Sequence, residues 1–235
     1  MNRIRVGVLA SGGGSNLQAL LDHQRALGER RAADVVLVVS DKAGAGVLER
    51  ARRAGIVVAT HASSAHPDAP ALATLLDGHR IDLVVLAGYL RMVPPGITRR
   101  FAGRMINVHP ALLPAFGGPG MYGQRVHRAV LAAAAPASGA TVHYVDEIYD
   151  HGAIIAQWPV PVLATDDEHA LAARVLRAEH LLFPRVVQAV AAAMRHAAAS
   201  AHGAAAVHFT DRLPSFDPEL DDALLAQQLD DALAR

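Results

Sequence analysis

The sequence predicts an α/β fold: a Rossmann-like, mostly parallel sheet with helices on both faces, completed by a C-terminal β-hairpin and a long helix. Two patterns predict it. Through the first half of the chain, short runs that are apolar at nearly every position alternate with stretches of helical periodicity. Runs of that kind belong to parallel strands buried on both faces, because crossover helices cover each side of the sheet. After Pro110 the alternation stops. A Pro/Gly-rich loop, two runs joined by a turn, and one long helical pattern follow.

Arg5 to Ala10 reads as the first buried strand, Ser11 to Asn16 as a glycine loop, and Leu17 to Ala26 as a helix. Ser15 is the expected cap of that helix. Asp34 to Ser40 is a second strand, followed by a helix from Ala45 to Ala54 that Gly55 closes. Ile56 to Thr60, Ala69 to His79 and Ile81 to Ala87 continue as strand, helix and strand. A short helix from Pro94 to Phe101 leads to a fifth strand, Arg104 to His109. Ala111 to Gly123 is a loop and Gln124 to Ala134 a helix. Gly139 to Val145 and Ala153 to Pro161 form a hairpin around the turn Asp146 to Gly152. Thr165, followed by Asp166, Asp167 and Glu168, is the expected N-cap of a helix to about Ala199, with Pro184 as a candidate kink. Residues 1–200 thus form one expected domain, its halves meeting near Pro110, and 201–235 a weakly patterned tail.

At 52% hydrophobic residues the chain can bury one substantial core. Twenty-two basic residues balance twenty-two acidic ones, so the basic field that drives nucleic-acid binding is missing. Without cysteine, disulfides, thiolate nucleophiles and thiolate metal sites are excluded. No apolar stretch is long enough to span a bilayer and the N-terminal run is too short for a signal peptide, so a cytoplasmic protein is expected. His196, His202 and His208, six residues apart, fall off a single helical face, and no metal site is expected there.

The chemistry concentrates in a few segments. Ser11-Gly12-Gly13-Gly14-Ser15-Asn16 joins a strand to a helix, where free N–H groups and close backbone approach favour an anion; a plain tight turn is the equal alternative. Asn107 and His109 end the fifth strand, where ligands of open parallel sheets bind. A carboxamide that donates to an oxyanion, beside an imidazole that moves a proton, suits transfer of an acyl-type group. Asp150 in the hairpin turn can fix the imidazole tautomer, although alone it reads as a turn residue. Leu90, Arg91, Met92 and Val93 follow the fourth strand and could clamp a flat heterocycle. Glu179-His180 on the long helix would otherwise read as a solvated face.

In their order and spacing, these segments resemble the phosphoribosylglycinamide formyltransferase family of folate-dependent enzymes, from the first strand to Phe183-Pro184. The resemblance rests on Ser11 to Asn16, Ser40 to Ala43, Leu86 to Arg91, Asn107 to Pro114, Gly139 to His143, Asp150 to Gly152, and Glu179-His180. It implies transfer of a formyl group from 10-formyltetrahydrofolate, a co-substrate, to the amine of glycinamide ribonucleotide in purine biosynthesis. By the same resemblance Gly14, Ser15 and Asn16 hold the phosphate, and Glu179 the sugar. Leu90, Arg91, Met92, Val93, Thr141, Val142 and His143, with Asn107 and Asp150, line the folate pocket. Asn107 polarises the formyl oxygen, His109 is the acid/base, and Asp150 keeps it basic. No metal, nucleic acid or membrane partner is implied, and either a monomer or a homodimer is compatible.

Departures from the family pattern are the triple glycine, the absence of arginine from Thr60 to Pro70, the loop Ala115 to Gly123, and His151. Three other readings compete with this one. A methionyl-tRNA formyltransferase would need a basic C-terminal domain, whereas this tail is acidic at Asp217, Glu219, Asp221 and Asp222. A formyltetrahydrofolate hydrolase is expected to carry a regulatory domain ahead of the first strand. A non-catalytic nucleotide-binding module would have no use for Asn107, His109 and Asp150 together.

Overall fold

The computed structural model describes residues 2–61, 69–200, 207–209 and 213–234. His202 and most of the Thr60–Pro70 segment lie outside them. Strands β1 (Ile4–Leu9), β2 (Ala33–Ser40), β3 (Val57–Thr60), β4 (Leu83–Leu86), β5 (Met105–His109), β6 (Ala137–Tyr144) and β7 (Ile154–Pro161) form one seven-stranded sheet in the order β3-β2-β1-β4-β5-β6-β7. The pairings from β3 to β5 are parallel, and β6 and β7 close the sheet as an antiparallel hairpin.

The crossovers are α1 (Ser15–Leu27), α2 (Gly46–Arg53), α3 (Ala69–Gly78) and α4 (Pro95–Arg100), followed by α5 (Gln124–Ala132), α6 (Glu168–Ser200) and α7 (Asp222–Leu233). Strand alternation divides the core in two. Val6, Val8, Leu83, Val85, Ile106 and Val108 point to the face covered by α1, α2 and α6. Leu9, Val84, Leu86 and Met105 point to the other face, with Leu72, Leu76, Ile97 and Phe101 of α3, α4 and the residue after it.

Local chemistry moved two caps. Gly14, not Ser15, is the N-cap of α1, in the left-handed region (φ 80°) and without a side-chain cap. An added Cβ at Gly14 would stand 2.8 Å from Val47, so glycine alone lets α2 close on the loop. Helix α6 starts after Asp167, whose Oδ1 accepts from the N–H groups of His169 (3.0 Å) and Ala170 (2.7 Å). Asp166 is taken by Arg174 (2.6 and 2.8 Å) and the Leu163 N–H, so the start shifts past Thr165. Pro184 lies within the uninterrupted α6.

The C-terminal segment is more ordered than its sequence pattern suggests. Helix α7 is capped by Asp221, whose Oδ1 accepts from Leu224 N (2.8 Å), and it buries Leu225, Leu229 and Ala232 against α6. Ahead of it, Phe209 N donates to the Ile155 carbonyl and covers part of the β7 edge. Among the described residues no helix is long and apolar enough to cross a membrane.

Candidate functional site

The chain leaves β1 toward β2 on one side, and β4 toward β5 on the other, although β1 and β4 are neighbours. Their outgoing loops therefore diverge and open a crevice at the carboxyl ends, the usual ligand position in such sheets. A cavity of about 600 Å³ lies there, lined by Gly12 and Asn16 after β1, Gly88 to Val93 after β4, and Asn107 and His109 of β5. His143 of β6, Asp150 of the hairpin and Glu179 of α6 complete it.

The glycine loop is tied on both sides. The Ser11 hydroxyl accepts from Leu90 N (2.9 Å), and the Gly12 carbonyl accepts from Val47 N (3.0 Å). Gly14 is buried against α2 and Ser15 is the half-buried first residue of α1, so Gly12 and Asn16 are the loop's contributions to the cavity wall. Asn16 Nδ2 donates to Glu179 Oε2 at 2.6 Å, while its Oδ1 is buried without a partner. Burial drives the Glu179 carboxyl up to about 7, and the Asn16 bond only partly opposes this.

A proton therefore remains on Glu179 in the folded state at pH values where the unfolded chain has lost it. Because this folded value is raised, the protein should lose stability as pH rises from about 4.5 to about 7, by ~3 kcal/mol at most. Urea denaturation of wild type and Glu179→Gln across that range checks it. The wild type should fall relative to the variant, and parallel curves would refute the buried acid.

Asn107 and His109 share one face of β5 because they are two residues apart. Met105, on the same face, is covered by the α3/α4 core, whereas Asn107 and His109 reach beyond it into the cavity. Antiparallel register sets His143 directly opposite Asn107, and Thr141 opposite His109. His143 Nδ1 donates to the Tyr144 carbonyl (2.8 Å), so its Nε2 is free to accept from Asn107 Nδ2 (3.0 Å). That bond fixes the amide's orientation and leaves its second N–H for a ligand. His143, which the family resemblance assigns to the folate pocket, aligns the carboxamide.

His109 is 3% exposed, and its Nε2 donates to the Phe116 carbonyl at 2.8 Å. Nδ1 is then the proton acceptor, and Asp150 Oδ2 lies 3.5 Å from it. Burial lowers the His109 pKa, Asp150 and the Phe116 carbonyl pull it up, and His143 adds to the lowering. The ring is therefore neutral at pH 7, facing a carboxylate that would receive Nδ1–H once a proton arrives. For Asp150, burial raises the pKa, but His143, His109 and the Gly118 N–H (2.9 Å) outweigh it and hold the carboxyl below its ordinary value. Asp150 sits at φ 54°, a left-handed conformation that aspartate tolerates. An added Cβ at Gly152 would meet the Tyr144 carbonyl oxygen at 1.9 Å, and one at Gly117 would meet Leu113 and Asp150. Both glycines let the two loops close on the carboxylate.

The rest of the wall is apolar and exposed. Leu90 and Met92 are about two-fifths accessible, and Ile148 and Tyr149 face the same cavity from the hairpin turn. Val93 is buried at its base. Arg91 Nε pairs with the buried Asp41 at 3.3 Å. Exposed large apolar side chains around one cavity form a surface for a flat apolar ligand. Thr141 and Val142 lie behind this wall, fully buried. The Thr141 hydroxyl donates to the Ala111 carbonyl (2.6 Å) and accepts from Leu113 N (3.1 Å), which anchors the loop after His109. Reasoning from sequence also missed Tyr122, Ile148 and Tyr149, and His127, whose buried Nδ1 is unpartnered and whose pKa is lowered by burial and then by His109. The apolar pair directly before Asp150 was the available signal. Among the described residues no group of three or more histidine or acidic side chains is arranged to hold a metal.

A carboxamide, a buried imidazole and a carboxylate meet beside the glycine loop at the switch point of a Rossmann-like sheet, an arrangement that suits acyl-type group transfer. A family model described as "Formyl transferase" matches residues 4–187, and the chain belongs to this formyl transferase family. It is 43% identical over 194 residues to a chloroplastic phosphoribosylglycinamide formyltransferase of Vigna unguiculata, covering 81% of this chain and 62% of that protein. It is 39% identical over 188 residues to phosphoribosylglycinamide formyltransferase of Escherichia coli (strain K12), covering 78% and 85%. The crystal structure of glycinamide ribonucleotide transformylase 1 from Symbiobacterium toebii superposes with a TM-score of 0.74 at 42% identity, covering 81% of this chain and 88% of that one. The chain spans less than two thirds of the length of the plant relatives.

Proposed function

We propose that the protein transfers the formyl group of 10-formyltetrahydrofolate to the amine of 5′-phosphoribosylglycinamide, as the printed names of its relatives indicate for them. The observation that carries the reading is the meeting of Asn107, His109 and Asp150 in the cavity that also receives Gly12, Asn16 and Glu179. The apolar wall of Leu90, Met92, Ile148 and Tyr149 suits the flat heterocycle of the folate. Asn16 and Glu179 suit the ribose end of the acceptor.

The amine attacks the formyl carbon, which places negative charge on the oxygen and positive charge on the nitrogen. The second N–H of Asn107, aligned by His143, stabilises the oxygen. Neutral His109 takes the proton from nitrogen at Nδ1, where Asp150 stabilises the imidazolium, and returns it to the departing folate nitrogen. No covalent enzyme intermediate is required. The absence of cysteine fits a reducing cytoplasm, which is the compartment we propose.

Supplying the protein with 10-formyltetrahydrofolate and one acceptor at a time tests the reading. Formylated glycinamide ribonucleotide and tetrahydrofolate should form together, in equal amounts. Formate release that ignores the acceptor would favour a hydrolase, and formylation of methionyl-tRNA alone would favour the tRNA enzyme.

A further inference from the structure

A second cavity, of about 450 Å³, lies at the start of β1, the strand whose other end opens into the crevice. The length of that strand, roughly 20 Å, separates the two. Arg3, Arg5, Arg31 and Arg195 meet Glu29 and Asp34 in this second cavity. Among the described residues none of its lining side chains is aliphatic or aromatic. In a chain without net charge, four guanidinium groups against two carboxylates are a local surplus of positive charge.

The surplus is built into the packing. Gln188 of α6 accepts from Ala32 N (2.8 Å) and donates to the Arg30 carbonyl (3.2 Å), which fastens the helix beside the segment carrying Arg31. Arg195 lies two turns further along the same face of α6 and so reaches the cavity. Both carboxylates are already engaged. Glu29 pairs with Arg3 (2.5 Å), and Asp34 pairs with Arg31 (2.6 Å) and Arg3 (3.6 Å). Arg195 is left without a carboxylate partner among the described residues, and its buried Nε has no hydrogen-bond acceptor. A buried N–H in that state calls for an acceptor from outside the chain. Arg5 is uncompensated as well, since its Nε donates to the neutral His79 carbonyl (2.9 Å). Glu29, whose side chain is 92% accessible, gives Arg3 an exposed ion pair that an arriving anion can displace.

We propose that this cavity is a second ligand site, separate from the transfer crevice, for a small polyphosphate anion without an aromatic base. Guanidinium forks match phosphate oxygens in bidentate geometry, and the two uncompensated ones enter from different elements, β1 and α6. Each can take one phosphoryl group. The wall offers a base nothing to stack on, so charge and hydrogen bonding alone select the ligand. The site stands whether or not the assigned acceptor is the one formylated.

Titration calorimetry of the full chain with pyrophosphate, at fixed ionic strength, tests the site. Arg195→Ala should weaken binding roughly tenfold or more, and Arg195→Lys should recover part of the loss. Without anion, Arg195→Ala should unfold in urea at the wild-type midpoint or above it, because the change relieves repulsion among the arginines. Pyrophosphate should then raise the wild-type midpoint more than the variant's. Equal binding by wild type and Arg195→Ala would place pyrophosphate in the transfer crevice and overturn the proposal. So would a wild type that binds no pyrophosphate, a signal that acetate reproduces at the same ionic strength, or a variant less stable than wild type without anion. ADP should bind no more tightly than pyrophosphate, and a much tighter ADP would refute a ligand without a base.

Discussion

His109→Ala should reduce formyl transfer by a hundredfold or more while the chain still folds. Proton transfer by a positioned side chain contributes about 10²–10⁴-fold, and His109 is the imidazole in the cavity with Nδ1 turned toward a carboxylate. The ring is buried, but its loss removes one hydrogen bond, to the Phe116 carbonyl, from a sheet that is otherwise intact. Asn107→Ala should cost a similar factor, since removal of one oxyanion donor commonly costs about 10²–10³ in turnover. For the carboxylate, Asp150→Asn is a better probe than alanine, because asparagine also accepts the left-handed backbone at φ 54°. It should slow transfer and shift the acid limb of the pH–rate profile downward, as His109 loses the partner that raises its pKa. Single-turnover assays with circular dichroism of each variant check these outcomes. Wild-type turnover in His109→Ala would refute the mechanism.

The fold was largely legible because buried parallel strands are apolar at every position, and that signal needs no knowledge of partners. Boundaries shifted by a residue or two, as at β4, where the strand is Leu83–Leu86 within the run from Ile81 to Ala87. Asn107 and His109 were legible as polar side chains at the end of such a strand. The coupling of His143 to Asn107 was not, because it depends on the register between β5 and β6, and a one-residue slip would turn His143 to the other face. Thr141 shares that face, yet the loop after His109 covers it, and only tertiary packing decides this. Helix α7 did carry a signal. Asp221 as a cap and the spacing of Leu225, Leu229 and Ala232 are helical, but in an acidic tail they have no visible partner until α6 supplies one.

The C-terminal segment leads to the largest expected change in stability. Trp158 is the fully buried centre of β7, and its Nε1 donates to the Pro214 carbonyl at 2.8 Å. Phe216 meets its ring edge-on, with centroids 5.0 Å apart, and Arg177 lies over Phe216 at 5.6 Å. Arg177 also bonds Asp222 and the Pro218 and Leu220 carbonyls, and Arg185 bonds Asp230. Exposed ion pairs of this kind add little each, so the indole is the main attachment of the segment to the sheet. Trp158→Ala should cost about 3–5 kcal/mol through the cavity it leaves, and should free the segment around Pro214 and Phe216 for proteolysis ahead of the rest of the chain. Trp158→Phe keeps most of the ring packing and loses one hydrogen bond, so it should cost only about 1–2 kcal/mol. Urea denaturation and limited proteolysis separate the two variants. If Trp158→Ala were destabilised no more than Trp158→Phe, with the tail equally protected, the segment would have to be held by its ion pairs to α6 instead.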